Sequence, residues 1–345
     1  GSKNHQRAGF PHRTEESPDY RVDRVGLPRK RWGFDGQVRS FAAFARAAAR
    51  QVPESRYDIV VATSSRLMTA ALGAWLAKKK RAAYYLDIRD IFTDTIRHVY
   101  HPALMMPLNG LLGRVERYAV ARAARVNLVS PGFLPYFQNI RADKSYRLFT
   151  NGIDDDFDSV PDTPASFSPG KAHIVYAGNI GHGQGLDRIL PELAVRLADR
   201  ASFTVIGDGA TRSPLMHRCH EIGAPVTVVD PVPRDQLLDY YQQADVLFLH
   251  LNDLPAFLRV LPSKLFEYAA TGKPLLAGVD GYCRKFLNVQ VNGVGVFRPC
   301  DVDDAVRAFE LLELTIHPRD AFRKRFARRR IMDEMAADIL ALVEV

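Results

Sequence analysis

Short apolar runs that alternate with helical patterns dominate this chain of 345 residues, and they admit few folds. From about Tyr57 the runs 58–62, 83–87, 126–129 and 146–149 read as buried strands. Helical patterns lie between them, over Ser65 to Lys79 and Leu104 to Ala123, and a further helix opens at Ser130-Pro131 with proline at its first position. A second set of runs falls at 173–177, 203–207, 226–229, 246–250, 275–278 and 294–297, again with helical sequence in the gaps. Strands spaced by helices predict βαβ units and a parallel sheet in each half. Between the halves, Asp154 to Gly170 is rich in Asp, Ser and Pro and lacks periodicity, as a linker does. The expected fold is α/β with two doubly wound domains, 1–160 and 161–320, and a C-terminal helix within 321–345 that packs back on the first.

Composition narrows the functional classes. Apolar residues make up 47% and charged residues 25%, as in an ordinary globular protein. No apolar run approaches the ~20 residues that span a bilayer; the longest, Ala103 to Leu112, contains Pro107 and Asn109. The three cysteines, Cys219, Cys283 and Cys300, are far apart and form no Cys-x-x-Cys pair, which argues against a disulfide framework or a structural zinc site. The net charge of +8 is clustered, at Arg29-Lys30-Arg31, Lys78-Lys79-Lys80-Arg81 and Arg328-Arg329-Arg330. Such clusters suit an anionic lipid surface or nucleic acid, or are simply solvated.

In doubly wound sheets ligands bind beyond the carboxyl ends of the strands. Three segments stand there. Residues 175–186 run from an apolar strand through Gly178-Asn179-Ile180-Gly181-His182-Gly183 into a helix, and 203–209 end in Gly207-Asp208-Gly209. The stretch 261–274 reads as a short helix with Ser263 as N-cap and Gly272 and Pro274 as stop signals. Its N-terminus offers free N–H groups and a positive dipole end near Pro262, Ser263, Lys264 and Leu265, which suits a phosphate. Glu267 lies one turn on and leans toward that end, so a phosphate clamp stands beside a carboxylate able to accept from ribose hydroxyls. The alternative is an amphipathic helix with a solvated Glu.

In this order the motifs resemble the C-terminal half of family 4 glycosyltransferases of the GT-B fold. The Tyr-Ala-Gly-Asn-Ile-Gly run at 176–181 and the Leu-Pro-Ser-Lys-Leu-Phe-Glu-Tyr helix at 261–268 are similar to one branch, the bacterial UDP-N-acetyl-amino-sugar transferases of O-antigen, capsule and lipopolysaccharide assembly. The likeness spans roughly residues 55 to 300. It implies two Rossmann-like domains facing across a cleft. It also implies a retaining transferase acting on a UDP-sugar donor and a lipid-linked saccharide acceptor at the inner face of the cytoplasmic membrane. Membrane, rather than nucleic acid, is then the partner of the basic clusters, and neither cofactor nor metal is required. The start departs from the pattern: Lys3 to Pro18 is polar and holds no strand, Gly-rich turn and helix, so either a leading segment is missing or the N-terminal sheet is smaller.

The resemblance also assigns residues. Gly178, Asn179, Gly181 and His182 would face the diphosphate, with His182 where relatives place Lys or Arg. Gly207, Asp208 and Gly209 match the turn near base and diphosphate, although Asp208 equally suits a cap for the next helix. Val232, between Pro231 and Pro233, falls where backbone groups bind uracil. Arg259 stands where many relatives carry a first glutamate, and donor-sugar contacts would come from the loop 253–261. In the first half, Arg89 would pair with the departing phosphate and Asp90 would orient hydroxyls; the alternative is an Arg–Asp pair that fixes the loop. Together with Lys264 these are the candidate catalytic residues. Asp154-Asp155-Asp156 contains an Asp-x-Asp, a metal pattern in other transferases, but it matches the hinge of GT-B chains. An epimerase of UDP-N-acetylglucosamine type and a non-catalytic basic binding protein are the rival readings.

Overall fold

A computed structural model describes residues 13–26, 34–52, 56–64, 66–91, 102–157 and 170–343. It opens with an antiparallel hairpin, β1 Arg13–Glu16 against β2 Arg21–Arg24, and helix α1 Phe34–Gln51. Neither was expected from the sequence. The Ala-rich run of the helix has high intrinsic propensity. Four parallel strands follow in the order β3-β4-β5-β6: β3 Ile59–Ser64, β4 Ala83–Ile88, β5 Arg125–Leu128 and β6 Tyr146–Arg147. The helices between them are α2 Leu67–Lys80, α3 Pro102–Arg122 and α4 Leu134–Ile140. Ser130-Pro131 opens a 3-10 turn, Pro131–Phe133, ahead of α4.

The second half is a six-stranded parallel sheet of order β12-β11-β10-β7-β8-β9. Its elements run β7 Ala172–Asn179, α5 Leu186–Arg196, β8 Ala201–Asp208, α6 Arg212–Ile222, β9 Val226–Val229 and α7 Arg234–Gln243. Then come β10 Val246–His250, α8 Ser263–Ala270, β11 Leu275–Gly278, α9 Gly281–Gln290, β12 Val294–Phe297, α10 Val302–Glu310, α11 Asp320–Phe326 and α12 Arg328–Leu340. Central strands buried on both faces read as continuous apolar runs, as β7 and β10 do. Along β7, Val175 and Ala177 pack with Leu265, Phe266 and Tyr268 on one face, while Ile174 and Tyr176 pack with Leu186, Ile189 and Leu190 on the other. Helices therefore cover both faces of this sheet.

Two crossings join the halves side by side. Ile153 forms a parallel bridge with Ala327; its N–H donates to Phe326 O at 2.8 Å and its C=O accepts from Arg328 N–H at 2.8 Å. Beyond the second crossing, Asp338 on α12 accepts from Arg125 Nη1 at 2.7 Å and Arg147 Nε at 2.8 Å, which fastens that helix to the first half. Most of the linker, 158–169, lies outside the described residues, as do Arg29-Lys30-Arg31, Ser65 and Phe92.

Candidate functional site

The strand order places a topological switch point between β7 and β10. The chain winds outward from β7 through β8 and β9, returns to β10 on the other side of β7, and winds away again. The loops leaving β7 and β10 diverge to opposite faces, and a crevice opens between them at the carboxyl edge. All the second-half residues nominated from sequence stand on this edge or on the loops and helix that leave it.

Gly178 and Gly207 are register partners at the ends of β7 and β8, with φ of +147° and +149°. A Cβ on Gly207 would come within 1.8 Å of Gly178 O, and one on Gly178 within 2.0 Å of Lys264 Nζ. The two glycines let the strand ends and the lysine converge. The following turn is tightly held. Tyr176 Oη donates to Asn179 O at 2.7 Å, Asn179 Nδ2 to Gln184 Oε1 at 2.7 Å, and Asn252 Nδ2 to His182 O at 2.7 Å. His182 is exposed, and Gly181 beside it in the chain is buried.

His250, at the end of β10, supports this turn from below and was not singled out in the sequence. Cys300 N–H donates to its Nε2 at 3.0 Å, so Nδ1 carries the proton and donates to Gln184 O at 2.6 Å. Burial pushes its pKa down to about 4, so the ring stays neutral. A lone histidine ending an apolar strand carries no distinguishing sequence signal.

Helix α8 begins differently from the expectation. Pro262, with φ −70° and ψ 142°, is its N-cap, and Ser263 is the first helical residue, exposed. Proline's fixed φ suits the start of a helix, and the missing N–H costs nothing there. The N–H of Leu265 already donates to Pro262 O at 3.1 Å and its side chain is core, so the free amides at this end belong to Ser263 and Lys264. Tyr268 fastens the helix to β7, accepting from Ala177 N–H at 2.9 Å and donating to Ala177 O at 3.2 Å. Lys264 is thereby folded inward over the Tyr176 ring, 5.8 Å from its centroid. Among the described residues no hydrogen bond or ion pair reaches its Nζ. Burial pushes its pKa down, partly offset by Glu267.

Glu267, one turn on, meets Arg234 Nη1 at 3.3 Å. Arg234 also binds Asp154 and Asp156, each at 2.8 Å, and Arg328 Nε donates to the other oxygen of Asp154. The Asp-x-Asp is thus bridged by a guanidinium. Asp208 does not cap α6: Thr211 is the N-cap, and its Oγ1 donates to Ile180 O at 3.1 Å. Asp208 ends β8 and precedes the first helical residue, Arg212, by four positions, so the cap position falls to Thr211. Gly209 lies under Ile180 O, which a Cβ there would approach to 2.2 Å. Val232 packs its side chain against the core beside α7.

Arg259 lies in a 3-10 turn, Pro255–Arg259, that leans on the first half. Its C=O accepts from Ser130 Oγ at 2.5 Å, and its guanidinium sits 6.0 Å from the Tyr136 ring centroid. On the first-half edge, Arg89 Nη2 donates to Asn151 Oδ1 at 2.6 Å, and Asn151 Nδ2 lies 3.5 Å from Leu261 O. Arg89 forms its ion pair with Asp87, at 3.5 Å, rather than with Asp90. Asp87 is drawn into place by Thr63 Oγ1 at 2.6 Å and Asn127 Nδ2 at 2.8 Å. Asp90 is left with a carboxyl that burial pushes up to about 6, against the pull of Arg89.

Among the described residues no helix is long and apolar enough to cross a membrane, and no group of three or more acidic, His or Cys side chains could hold a metal ion. The Lys78, Lys79 and Lys80 cluster ends α2, with Lys79 over the half-exposed Trp75 ring at 5.3 Å.

Two families match the sequence in succession. Residues 4–152 match the family described as Glycosyl transferase 4-like domain, and residues 163–329 match Glycosyl transferases group 1. No curated protein matches the chain. Among solved structures, Anabaena HepE in complex with UDP and glucose is similar at a TM-score of 0.67 and 16% identity, over 92% of this chain and 85% of that one. The lipopolysaccharide outer core galactosyltransferase WaaB is similar at 0.61 and 14%, over 92% and 84%. The pneumococcal O-GlcNAc transferase GtfA in complex with UDP and GlcNAc is similar at 0.55 and 12%, over 97% and 70%. These likenesses show a common fold. With both halves matched by consecutive glycosyltransferase domains and each built on a parallel α/β sheet, the chain is a glycosyltransferase of the group 1 family with the GT-B fold.

Proposed function

We propose that this enzyme retains configuration while moving an N-acetylated amino sugar from UDP to a lipid-linked saccharide, in lipopolysaccharide, O-antigen or capsule assembly. The observation that carries the donor reading is the inward ammonium of Lys264 over Gly178, with Glu267 one turn away on the same helix. That pair suits a diphosphate and a ribose together. Ser263 and Lys264 amides, the 178–182 turn and the Lys264 ammonium neutralise the diphosphate. Glu267 accepts from the ribose, and the 207–209 and Val232 turns line the base. Arg89 and Asp90 lie on the facing half, where they would meet the departing phosphate and the acceptor hydroxyl. Retention without an enzymatic nucleophile implies front-side attack, with the leaving phosphate as base, so catalysis is positioning plus charge stabilisation. The neighbours crystallised with UDP support the nucleotide, GtfA with GlcNAc supports the acetamido sugar, and WaaB supports the lipopolysaccharide setting. The basic end of α2, with Trp75 beside it, supports docking on the anionic inner face of the cytoplasmic membrane.

Two measurements test this reading. In a melting panel, UDP should stabilise the protein more than GDP, ADP or TDP, by about 2.7 kcal/mol at ~100 times its dissociation constant. Equal shifts with all four would remove the uridine assignment. With UDP-N-acetyl sugars, UDP should be released only when acceptor is present; conversion of the UDP-sugar to its 2-epimer in the absence of acceptor would favour the epimerase. The same assay should run unchanged in excess EDTA, because Asp154 and Asp156 are bound to Arg234. A loss of turnover restored by Mn²⁺ would return the Asp-x-Asp to a metal role.

A further inference from the structure

We infer that Arg234 is a positioning residue for the donor, fixing the Glu267 carboxylate toward the ribose and tying that grip to the junction between the two domains. The inference rests on the reading of Glu267 as the ribose acceptor. Arg234 begins α7 directly after the turn that holds Val232, so it stands between the base side and the ribose side of the crevice. Its guanidinium is held on every edge. Nη2 and Nε bind Asp154 and Asp156, Nη1 binds Glu267, and its flat face lies 5.2 Å from the Phe157 ring centroid. Asp154 and Phe157 belong to the first crossing between the domains, and Arg328, the second partner of Asp154, belongs to the other.

A guanidinium clamped in this way cannot swing, and it occupies one oxygen of Glu267 while leaving the second to face a ligand. Without it, Glu267 would share its surroundings with Asp154 and Asp156, with Arg328 on Asp154 and the Lys264 ammonium left to balance them. Mutual repulsion would then turn the carboxylate away. A lysine could replace the charge but not three simultaneous, planar contacts.

The test compares UDP with 2′,3′-dideoxy-UDP, which lacks both hydroxyls that Glu267 would accept from, by calorimetry on the full chain. The wild type should prefer UDP by about ten- to a hundredfold, the value of hydrogen bonds to a charged group. Arg234→Gln should weaken UDP by about tenfold or more and leave dideoxy-UDP within about threefold, so the preference collapses. Arg234→Lys should restore it only in part. Asp156→Ala, which removes one exposed anchor of the guanidinium, should narrow the preference in the same direction and covers the case in which Arg234→Gln does not fold. An undiminished preference in these variants, or an equal loss for both nucleotides, overturns the positioning role. A wild type that binds neither nucleotide overturns instead the UDP reading beneath it.

Discussion

Lys264→Ala should lower kcat by about 10²–10³-fold, equivalent to roughly 2.7–4 kcal/mol of lost charge stabilisation. The melting temperature of the unliganded variant should equal or exceed that of the wild type. The two halves of this expectation come from one geometry. The ammonium is folded against Gly178 and the Tyr176 ring, and among the described residues no hydrogen bond or ion pair reaches it. Holding a charge there works against folding, which is why burial lowers its pKa. Removing it relieves that cost and improves helix propensity, while the contacts with Tyr176 and Gly178 and the attraction of Glu267 are lost. A diphosphate leaving group would supply the missing counter-charge, and most fully as the bond to the sugar breaks. Steady-state kinetics beside a melting curve decide the matter. A fall in kcat under about tenfold, or a clear loss of stability, would make Lys264 a structural residue.

What could be read from the chain depended on how local the cause was. The parallel α/β character followed from periodicity, and the site helix from Gly272, Pro274 and the four-residue spacing of Ser263 and Glu267. The strand order could not be read, yet it is the order that puts the ends of β7 and β10 beside the crevice. Arg234 escaped notice because its partners are distant in sequence: Asp154 and Asp156 precede it by 80 and 78 residues, across three strands and two helices, and Glu267 follows it by 33. The carbonyl of Arg259 meets Ser130 across the domain boundary, a contact made by packing of two turns that carry no shared sequence signal. The N-cap of α8 moved by one residue because Pro262 competes with Ser263 for the same place, and backbone geometry favoured the proline. On the first-half edge, Asp87 and Asn127 are polar residues inside otherwise apolar strands. That pattern marks a buried network, but it does not say that Arg89 would choose Asp87 over its neighbour Asp90.

Glu267→Ala should weaken UDP binding by about ten- to a hundredfold, because the interaction removed is a set of hydrogen bonds to a charged carboxylate worth ~1.5–3 kcal/mol. Its effect on stability should be small but not zero. The side chain is partly buried, at 16% exposure, and gives Arg234 one of three anchors, whereas Asp154 and Asp156 keep the other two. The arginine therefore stays paired when Glu267 is removed. The helix also stays in place, because Tyr268 rather than Glu267 fastens it to β7 through both bonds to Ala177. Loss of affinity with a preserved melting curve is thus the signature of a ligand contact, and a purely structural glutamate would give the reverse. The size of the loss also separates the two donor groups. Lys264 acts on a charge that grows in the transition state, so its removal falls mainly on kcat, whereas Glu267 grips a ribose that does not change during transfer, so its removal falls on donor affinity and KM. Calorimetry on the variant, run beside its donor-saturation curve, should show KM and the UDP dissociation constant rising together with kcat within a few-fold of wild type. An unchanged UDP affinity would leave Glu267 a partner of Arg234 alone and withdraw the ribose role from the helix.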